Sequence, residues 1–103
     1  MLSISQAGLK DSKDIGRYLM VHAGEEVVRQ FEESILKTAG QLSVFPASGV
    51  VVNKERKIRR VLVSDFHNYY AYYLVDDSKK YISIVRVMHT SRKRITIKEL
   101  LQE

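Results

Sequence analysis

The sequence of 103 residues predicts an α+β domain, in which a helical hairpin packs on one face of a mainly antiparallel sheet. Helical periodicity fills the first half of the chain, and runs of β-branched and aromatic residues fill the second half. The connections between these runs are short, which favours an antiparallel meander because parallel neighbours need long crossovers. We therefore predict one domain over residues 1–103 with the order β-α-α-β-β-β, three to four strands in the sheet and a short C-terminal helix or turn.

The N-terminal segment predicts a short strand followed by an amphipathic helix. Leu2-Ser3-Ile4 alternates apolar with polar residues, and a serine at position 3 or 5 can cap the helix. Asp11 and Asp14 are expected early in this helix, where the macrodipole favours negative charge, and Gly24 is a natural end. The predicted core-facing stripe comprises Leu9, Ser12, Ile15, Tyr18, Leu19 and His22.

A second helix is predicted to begin near Glu25 and to end before Pro46. Glu25 and Glu26 suit its first turn, and Gly40 weakens its last turn by about 1 kcal/mol relative to alanine. The residue before a proline is pushed out of the helical region. Two helices joined by one or two residues lie antiparallel, and the sheet is expected to cover their shared stripe. On the second helix this stripe comprises Val28, Phe31, Ile35, Thr38 or Ala39, and Leu42.

The second half of the chain predicts three strands joined by polar turns, with the valine run at 50–52 forming a further brief strand or an edge. In the last strand, Ile82 and Ile84 point to one face, whereas Val85 and Val87 point to the other. Either both faces are covered or a β-bulge shifts the register near Val85. The strands are predicted at 57–63, 69–75 and 81–89, and the turns at 64–68 and 76–80.

The C-terminal tail has the spacing of a capping box, a threonine at position 96 followed three residues later by a glutamate. This predicts a short helix or turn over about residues 97–102. Its apolar residues share one helical face, so the segment is expected to dock either on this molecule or on a partner.

The net charge of +5 is unevenly distributed along the chain. Residues 1–50 carry −1 and residues 51–103 carry +6. A basic half indicates an anionic partner, which could be nucleic acid, a ribosome or an acidic protein. The alternative is a solvated basic surface without a specific partner. The chain has no cysteine, and no apolar run resembles a signal peptide or a membrane span, so we expect a cytoplasmic protein.

His89 is the strongest candidate for chemistry. No histidine has metal-ligand spacing, and nucleotide-binding motifs are missing, so neither metal nor cofactor is expected. A histidine beside several cations could act as a general acid in RNA cleavage; alternatively, its ring nitrogen bonds the backbone at the strand end. His22 is expected to be structural and His67 to lie in a turn. The cations near His89 in the sequence are Arg86, Arg92, Lys93 and Arg94.

Arg59 and Arg60 are adjacent in a strand, so their side chains should lie on opposite faces. One of them is predicted to be buried against the helices with a carboxylate partner, and the other to be exposed and able to bind an anion. Tyrosines interleave with these bases, which suits base stacking or a protein interface. Sheet packing is nevertheless expected for at least half of them. They are Tyr69, Tyr70, Tyr72, Tyr73 and Tyr81.

Five segments form an ordered pattern over nearly the whole chain: Ile15-x-x-Tyr18-Leu19, Leu42-x-x-x-Pro46-x-x-Gly49, Ile58-Arg59-Arg60, Tyr69-Tyr70 leading to Tyr73-Leu74-Val75-Asp76-Asp77, and Ile82-x-Ile84-x-Arg86-Val87-x-His89-x-x-Arg92. This pattern resembles the RelE/ParE superfamily of bacterial toxins from type II toxin–antitoxin systems, and is closer to the ParE-like branch. The resemblance implies a helical hairpin packed on a mainly antiparallel sheet.

The resemblance also implies a toxin that inhibits a macromolecular target, which is DNA gyrase for the ParE-like branch. A cognate antitoxin is expected to neutralise this toxin. The alternative is a RelE-like, ribosome-dependent mRNA endoribonuclease in which Arg86, His89 and Arg92 act in catalysis. A third interpretation is a degenerate toxin that only binds its antitoxin. Some RNA-cleaving relatives carry a basic residue early in the middle strand, where this chain has Asn68-Tyr69-Tyr70. The expected target-binding residues are Arg59, Arg60, Tyr70, Arg86, His89, Arg92, Lys93 and Arg94.

Overall fold

The computed structural model describes residues 2–76, 81–92 and 95–101. Five strands and three helices occur in these residues. Ser5 caps the first helix, because its side chain accepts a hydrogen bond from the Gly8 N–H. The elements, in chain order, are β1 (Leu2–Ile4), α1 (Gln6–Ala23), α2 (Glu25–Val44), β2 (Val50–Asn53), β3 (Ile58–Val63), β4 (Phe66–Asp76), β5 (Tyr81–His89) and α3 (Ile97–Leu101).

The predicted α+β class is confirmed, with a sheet of five strands instead of three or four. Its order is β1-β5-β4-β3-β2. The meander from β2 to β5 is antiparallel, and β1 pairs in parallel with β5. The two short segments whose strand character was weakest in the sequence both join the sheet, and they form its opposite edges.

The helical hairpin covers one face of the sheet and forms the larger core. Phe31 and Leu42 of α2 are each 1% exposed, and they pack with Tyr73 and Ile84 from the sheet. The ring of Phe31 meets the ring of Tyr69 edge-on, with centroids 5.5 Å apart. The periodicity predicted for α2 is therefore confirmed by the side chains that it buries.

A second, smaller core lies on the other face of the sheet, under α3. Leu100 is 3% exposed and packs with Tyr72, Val85 and Met88. The capping box is confirmed, since the Glu99 N–H donates to the Thr96 hydroxyl over 3.1 Å. The C-terminal helix therefore docks on its own chain and covers part of the face that the hairpin leaves open.

A β-bulge in β5 explains the mixed alternation in its sequence. Tyr72 pairs with Arg86 but Tyr73 pairs with Ile84, so Val85 is an extra residue. Ile84 packs in the larger core and Val85 in the smaller one. Both predicted alternatives hold together, because the bulge shifts the register and both faces are covered.

The predictions for α1 need two corrections. The helix begins at Gln6 and has no acidic residue in its first turn, so Asp11 and Asp14 do not serve its dipole as predicted. The core-facing stripe of α1 also contains fewer residues than predicted. Gly8 lies so close to β5 that a Cβ would be 3.1 Å from the Ile84 carbonyl oxygen. Because α1 approaches the sheet at this end, residues 20–23 are all exposed.

The exposed part of α1 includes His22, which was expected to be structural. Its ring stacks against Tyr18 with centroids 4.3 Å apart, and Tyr18 is itself 57% exposed. The predicted turn at 64–68 is also shorter than expected, because β4 already begins at Phe66 and includes His67. Among the described residues, no helix has the length and apolar character needed to cross a membrane.

Candidate functional site

A groove of about 660 Å³ lies between α1 and the ends of β4 and β5, and we call it the α1–β5 groove. Arg86, His89 and Arg92 all line it, so the structure brings these three predicted residues together. Asp11 and Asp14 line the same groove. Its two arginines therefore face two aspartates, and the predicted cationic clamp is not a region of net positive charge.

Asp11 and Arg86 form a bidentate ion pair at the base of the α1–β5 groove. Arg86 Nε donates to Asp11 Oδ2 over 2.6 Å, and Nη2 donates to Oδ1 over 2.9 Å. The Asp11 side chain is only 14% exposed, and the Arg86 side chain only 13%. The hydrogen bonds to Asp11 raise the pKa of Arg86, although burial opposes this. This arginine is therefore occupied by an internal carboxylate.

The same carboxylate completes the edge of β5. Once β1 ends at Ile4, the adjoining edge of β5 has no strand beside it. The Ser5 hydroxyl donates to the Val85 carbonyl over 2.8 Å, and the Val87 N–H donates to Asp11 Oδ2 over 2.9 Å. Asp11 therefore satisfies a backbone donor and a guanidinium together, which ties α1 to the sheet.

Glu99 of α3 contacts both arginines of the groove. Arg86 Nη1 donates to the Glu99 backbone carbonyl, and Arg92 forms an ion pair with the Glu99 carboxylate. The Arg92 and Glu99 side chains are 50% and 40% exposed, so this pair is much weaker than the Asp11–Arg86 pair. Lys93 and Arg94, which were also predicted to bind the target, lie outside the described residues.

His89 adopts the backbone-bonded arrangement that the sequence offered as the alternative to catalysis. Its Nδ1 accepts a hydrogen bond from the Ser91 N–H over 3.1 Å and lies 2.9 Å from the Ser91 hydroxyl. An acceptor at Nδ1 places the proton of the neutral ring on Nε2. The ring meets Tyr69 edge-on with centroids 5.3 Å apart.

Arg59 and Arg60 lie on opposite faces, as predicted, and both are half-buried. Arg59 donates to the Gly49 carbonyl over 2.8 Å and to the Ala47 carbonyl over 3.3 Å. The prediction of a carboxylate partner for one of them is wrong for the described residues, because backbone oxygens fill that role. The buried arginine with a carboxylate is Arg86 instead.

Arg60 and Tyr70 form a second cluster, on the face that carries α3. The guanidinium carbon of Arg60 lies 4.2 Å from the Tyr70 ring centroid, in a cation–π contact. Leu62, which pairs with Tyr70 across the strands, is 39% exposed. We call these three residues the Arg60–Tyr70 patch. It does not include His89 or Arg92, so the predicted site residues fall into separate groups.

The tyrosines behave as the sheet-packing prediction requires. Tyr69, Tyr72 and Tyr73 are buried, whereas Tyr70 and Tyr81 are half-buried. Tyr73 also fixes a loop, because its hydroxyl donates to the Pro46 carbonyl over 2.7 Å and accepts from the Gly49 N–H over 2.9 Å. Within the described residues, no group of His, Cys, Asp and Glu could hold a metal ion.

Comparison with known proteins agrees with this architecture. The family described as "ParE toxin of type II toxin-antitoxin system, parDE" matches residues 2–94. The chain belongs to the ParE toxin family. No curated protein matches significantly. A solved structure titled "Chromosomal ParDE TA system from P. aeruginosa" is 18% identical with a TM-score of 0.69, and the match covers 85% of this chain and 92% of that one.

Membership of the ParE family makes this protein a ParE-type toxin of a type II toxin–antitoxin system, and the system implies an antitoxin partner. At 18% identity, the solved structure supports the fold alone. The family match ends at residue 94, so α3 and its contacts with Arg86 lie beyond the matched range.

Proposed function

We propose that this ParE-family toxin acts by binding DNA gyrase, and that a cognate antitoxin neutralises it. The observation that carries this proposal is the internal neutralisation of the α1–β5 groove. Asp11 occupies Arg86, and Glu99 occupies Arg92. The groove that would serve a nuclease therefore has few cations available for a phosphate.

RNA cleavage requires positive groups aimed at the charge that develops on the phosphorus oxygens. Arg86 would have to exchange Asp11 for the substrate, which would leave a carboxylate that is only 14% exposed without its partner. His89 is oriented by Ser91 and Tyr69. In the described chain, His89 contacts no carboxylate that could help it to activate the nucleophile. This arrangement favours a binding function over catalysis.

The Arg60–Tyr70 patch is the surface that we propose meets gyrase. Tyrosine and arginine dominate the energetically important residues of protein interfaces, and here each side chain restricts the other. The patch lies on the basic half of the chain, where the field would steer an acidic partner. Arg59, His89, Lys93 and Arg94 stay predicted contributors to target binding from the sequence.

A supercoiling assay with purified toxin and gyrase tests this function. We expect the wild-type toxin to inhibit supercoiling, and Tyr70→Ala or Arg60→Ala to weaken inhibition by about tenfold, as for interface hot spots. Arg17→Ala removes an exposed arginine from α1 and serves as the matched control, with inhibition unchanged. Far-UV circular dichroism confirms that each variant is folded.

A ribosome-dependent mRNA cleavage assay, run in parallel, tests the alternative. If the toxin leaves gyrase active but cuts mRNA on ribosomes, and His89→Gln abolishes the cutting, the endoribonuclease function is correct. Absence of growth arrest from the expressed, folded chain would instead indicate a degenerate toxin.

Neutralisation is expected to use an apolar opening between the two helices of the hairpin and the β1 side of the sheet. Leu9 and Leu36 are 44% and 71% exposed and line an apolar cavity of about 380 Å³. An amphipathic antitoxin helix could cover this surface, with acidic residues directed to the basic half. The association rate with the cognate antitoxin should then fall as salt increases. A rate that is independent of ionic strength would contradict electrostatic steering.

A further inference from the structure

The strand β2 leaves one edge of the sheet open. It pairs with β3 on one side only, so its outward-facing backbone groups have no strand partner among the described residues. Val50, Val51 and Val52 are 66%, 47% and 37% exposed. An exposed edge of β-branched residues is a template for pairing with another strand. The opposite edge strand, β1, also pairs on one side only in the described chain, but it has just 3 residues, and Ser5 and Asp11 bond the β5 edge beyond it.

A cationic pocket of about 310 Å³ adjoins this edge. Lys54, Lys57 and Arg59 line it, together with the apolar side chains of Val51 and Val75. Neither lysine has a carboxylate within ion-pair distance in the part of the chain that the structure describes. Within the described residues, Arg59 bonds the two loop carbonyls given above, which are neutral and leave its charge uncompensated. We call this region the β2 pocket.

The charges of the β2 pocket argue against a second copy of this chain as the occupant. Two β2 edges placed side by side would bring both sets of cations together, and like charges across a strand pair are destabilising. Lysines beside an exposed edge are a recognised means of preventing such self-association. An acidic strand meets no such repulsion and gains from the unpaired cations.

We propose that the β2 edge binds an extended segment of a partner protein in which acidic and apolar residues alternate. Its backbone would hydrogen-bond the open side of β2 and add a sixth strand to the sheet. Because side chains alternate between faces in a strand, its carboxylates would share one face and meet Lys54, Lys57 and Arg59. On the other face, its apolar residues would cover Val50, because Val51 lines the pocket itself. The proposal is independent of the toxin's target.

Fluorescence anisotropy with the full chain and a labelled peptide of alternating valine and glutamate tests this binding. We expect saturable binding, together with slower hydrogen exchange of the Val50–Asn53 amides. A peptide with the same side chains but N-methylated at alternate residues cannot form the strand ladder, and it should not bind. Equal binding of both peptides, or no binding of either, would overturn the proposal.

Charge variants locate the site. Lys57 has φ of 57°, a conformation that asparagine tolerates, so Lys54→Gln/Lys57→Asn removes two charges without straining the turn. This variant should bind the acidic peptide roughly tenfold more weakly, since each exposed pair contributes modestly. Lys13→Gln/Lys98→Gln removes the same charge elsewhere and should bind about as well as wild type. Equal weakening in both variants would overturn the proposed location.

Two further outcomes would assign the edge to a different occupant. An oligothymidylate that displaces the peptide and slows exchange at the same amides would indicate a nucleic-acid site. Dimerisation that strengthens with salt and is lost on Val51→Lys would indicate a second copy of the chain. Both results would replace the acidic strand as the partner.

Discussion

Two groups of cations lie toward opposite edges of the sheet, and they differ in what surrounds them. Arg86 and Arg92 line the α1–β5 groove, where Asp11 and Glu99 meet them. Lys54 and Lys57 line the β2 pocket and have no carboxylate partner among the described residues. The comparison shows that positive residues in a sequence become available to a partner only where the fold leaves them without internal anions.

The difference follows from burial. A guanidinium that is 13% exposed needs a partner with matched geometry, because an unpaired buried charge is strongly destabilising. Lysines on an exposed hairpin turn keep their hydration and need no such partner. The structural role of Arg86 and the proposed binding role of the β2 pocket are thus two results of the same desolvation cost.

Removing Asp11 should have the largest effect on stability. Asp11→Ala leaves Arg86 and the Val87 N–H without their acceptor, so we expect a loss of about 3 kcal/mol in the free energy of unfolding by urea denaturation. Asp14→Ala, which breaks only surface ion pairs on the same helix, is the control and should leave the unfolding midpoint almost unchanged. Equal losses in the two variants would mean that Arg86 does not depend on Asp11.

Gly49→Ala should disturb the loop that accepts hydrogen bonds from Arg59 beside the β2 pocket. A Cβ at this position would lie 2.6 Å from both the Arg60 carbonyl oxygen and the Tyr73 hydroxyl. We expect a loss of about 2 kcal/mol by urea denaturation, as for other overpacked sites. Gly40 has open space around it, so Gly40→Ala should instead stabilise α2 by about 1 kcal/mol. A neutral Gly49→Ala variant would contradict the close packing.

Lys57→Gly should stabilise the protein slightly while removing a charge from the β2 pocket. The left-handed conformation at Lys57 is unfavourable for a side chain with a Cβ. Glycine relieves this cost but increases the entropy of the unfolded chain, so we expect a net gain of about 0.5 kcal/mol by thermal denaturation. Lys54→Gly, at a position without positive φ, should be destabilising. A loss in both variants would show that the turn tolerates lysine without strain.

Tyr69, in the α1–β5 groove, should give the smallest effect, confined to alkaline pH. Burial, followed by the charge of Tyr18, raises the pKa of Tyr69 above its usual 10.0. The unfolded chain therefore loses this proton first, and the stability that the tyrosine contributes falls as pH rises above about 10. Urea midpoints across this range should fall less for Tyr69→Phe than for wild type. Parallel curves would contradict burial as the cause.

Local patterns in the sequence predicted the fold well, because the helices and turns depend on nearby residues. The capping box at Thr96 and the α2 stripe ending before Pro46 needed only spacing and propensity. The parallel pairing of β1 with β5 was not predicted, because it joins residues about eighty positions apart. No local pattern encodes such a contact.

The candidate site was less predictable for the same reason. Arg86, His89 and Arg92 were correctly placed near one another, since they share one strand end. The role of Asp11 was missed, because its partner is 75 positions away. The sequence did contain a signal for this pairing. Asp11 lies beyond the first turn of a capped helix, and that helix must pack against a sheet that carries arginines.

The extra residue in β5 has a consequence for how this strand tolerates change in length. Before Val85 and after it, odd and even positions exchange the layers that they serve: Ile84 and Val87 both meet the hairpin, and Val85 and Met88 both meet α3. Deleting Val85 would restore a regular ladder and keep both halves of the strand in phase, because Ile84 and Arg86 already pair with the adjacent residues Tyr73 and Tyr72. The α3 layer would lose Val85 alone, so β5 could become one residue shorter at this position and keep its other anchors in both layers.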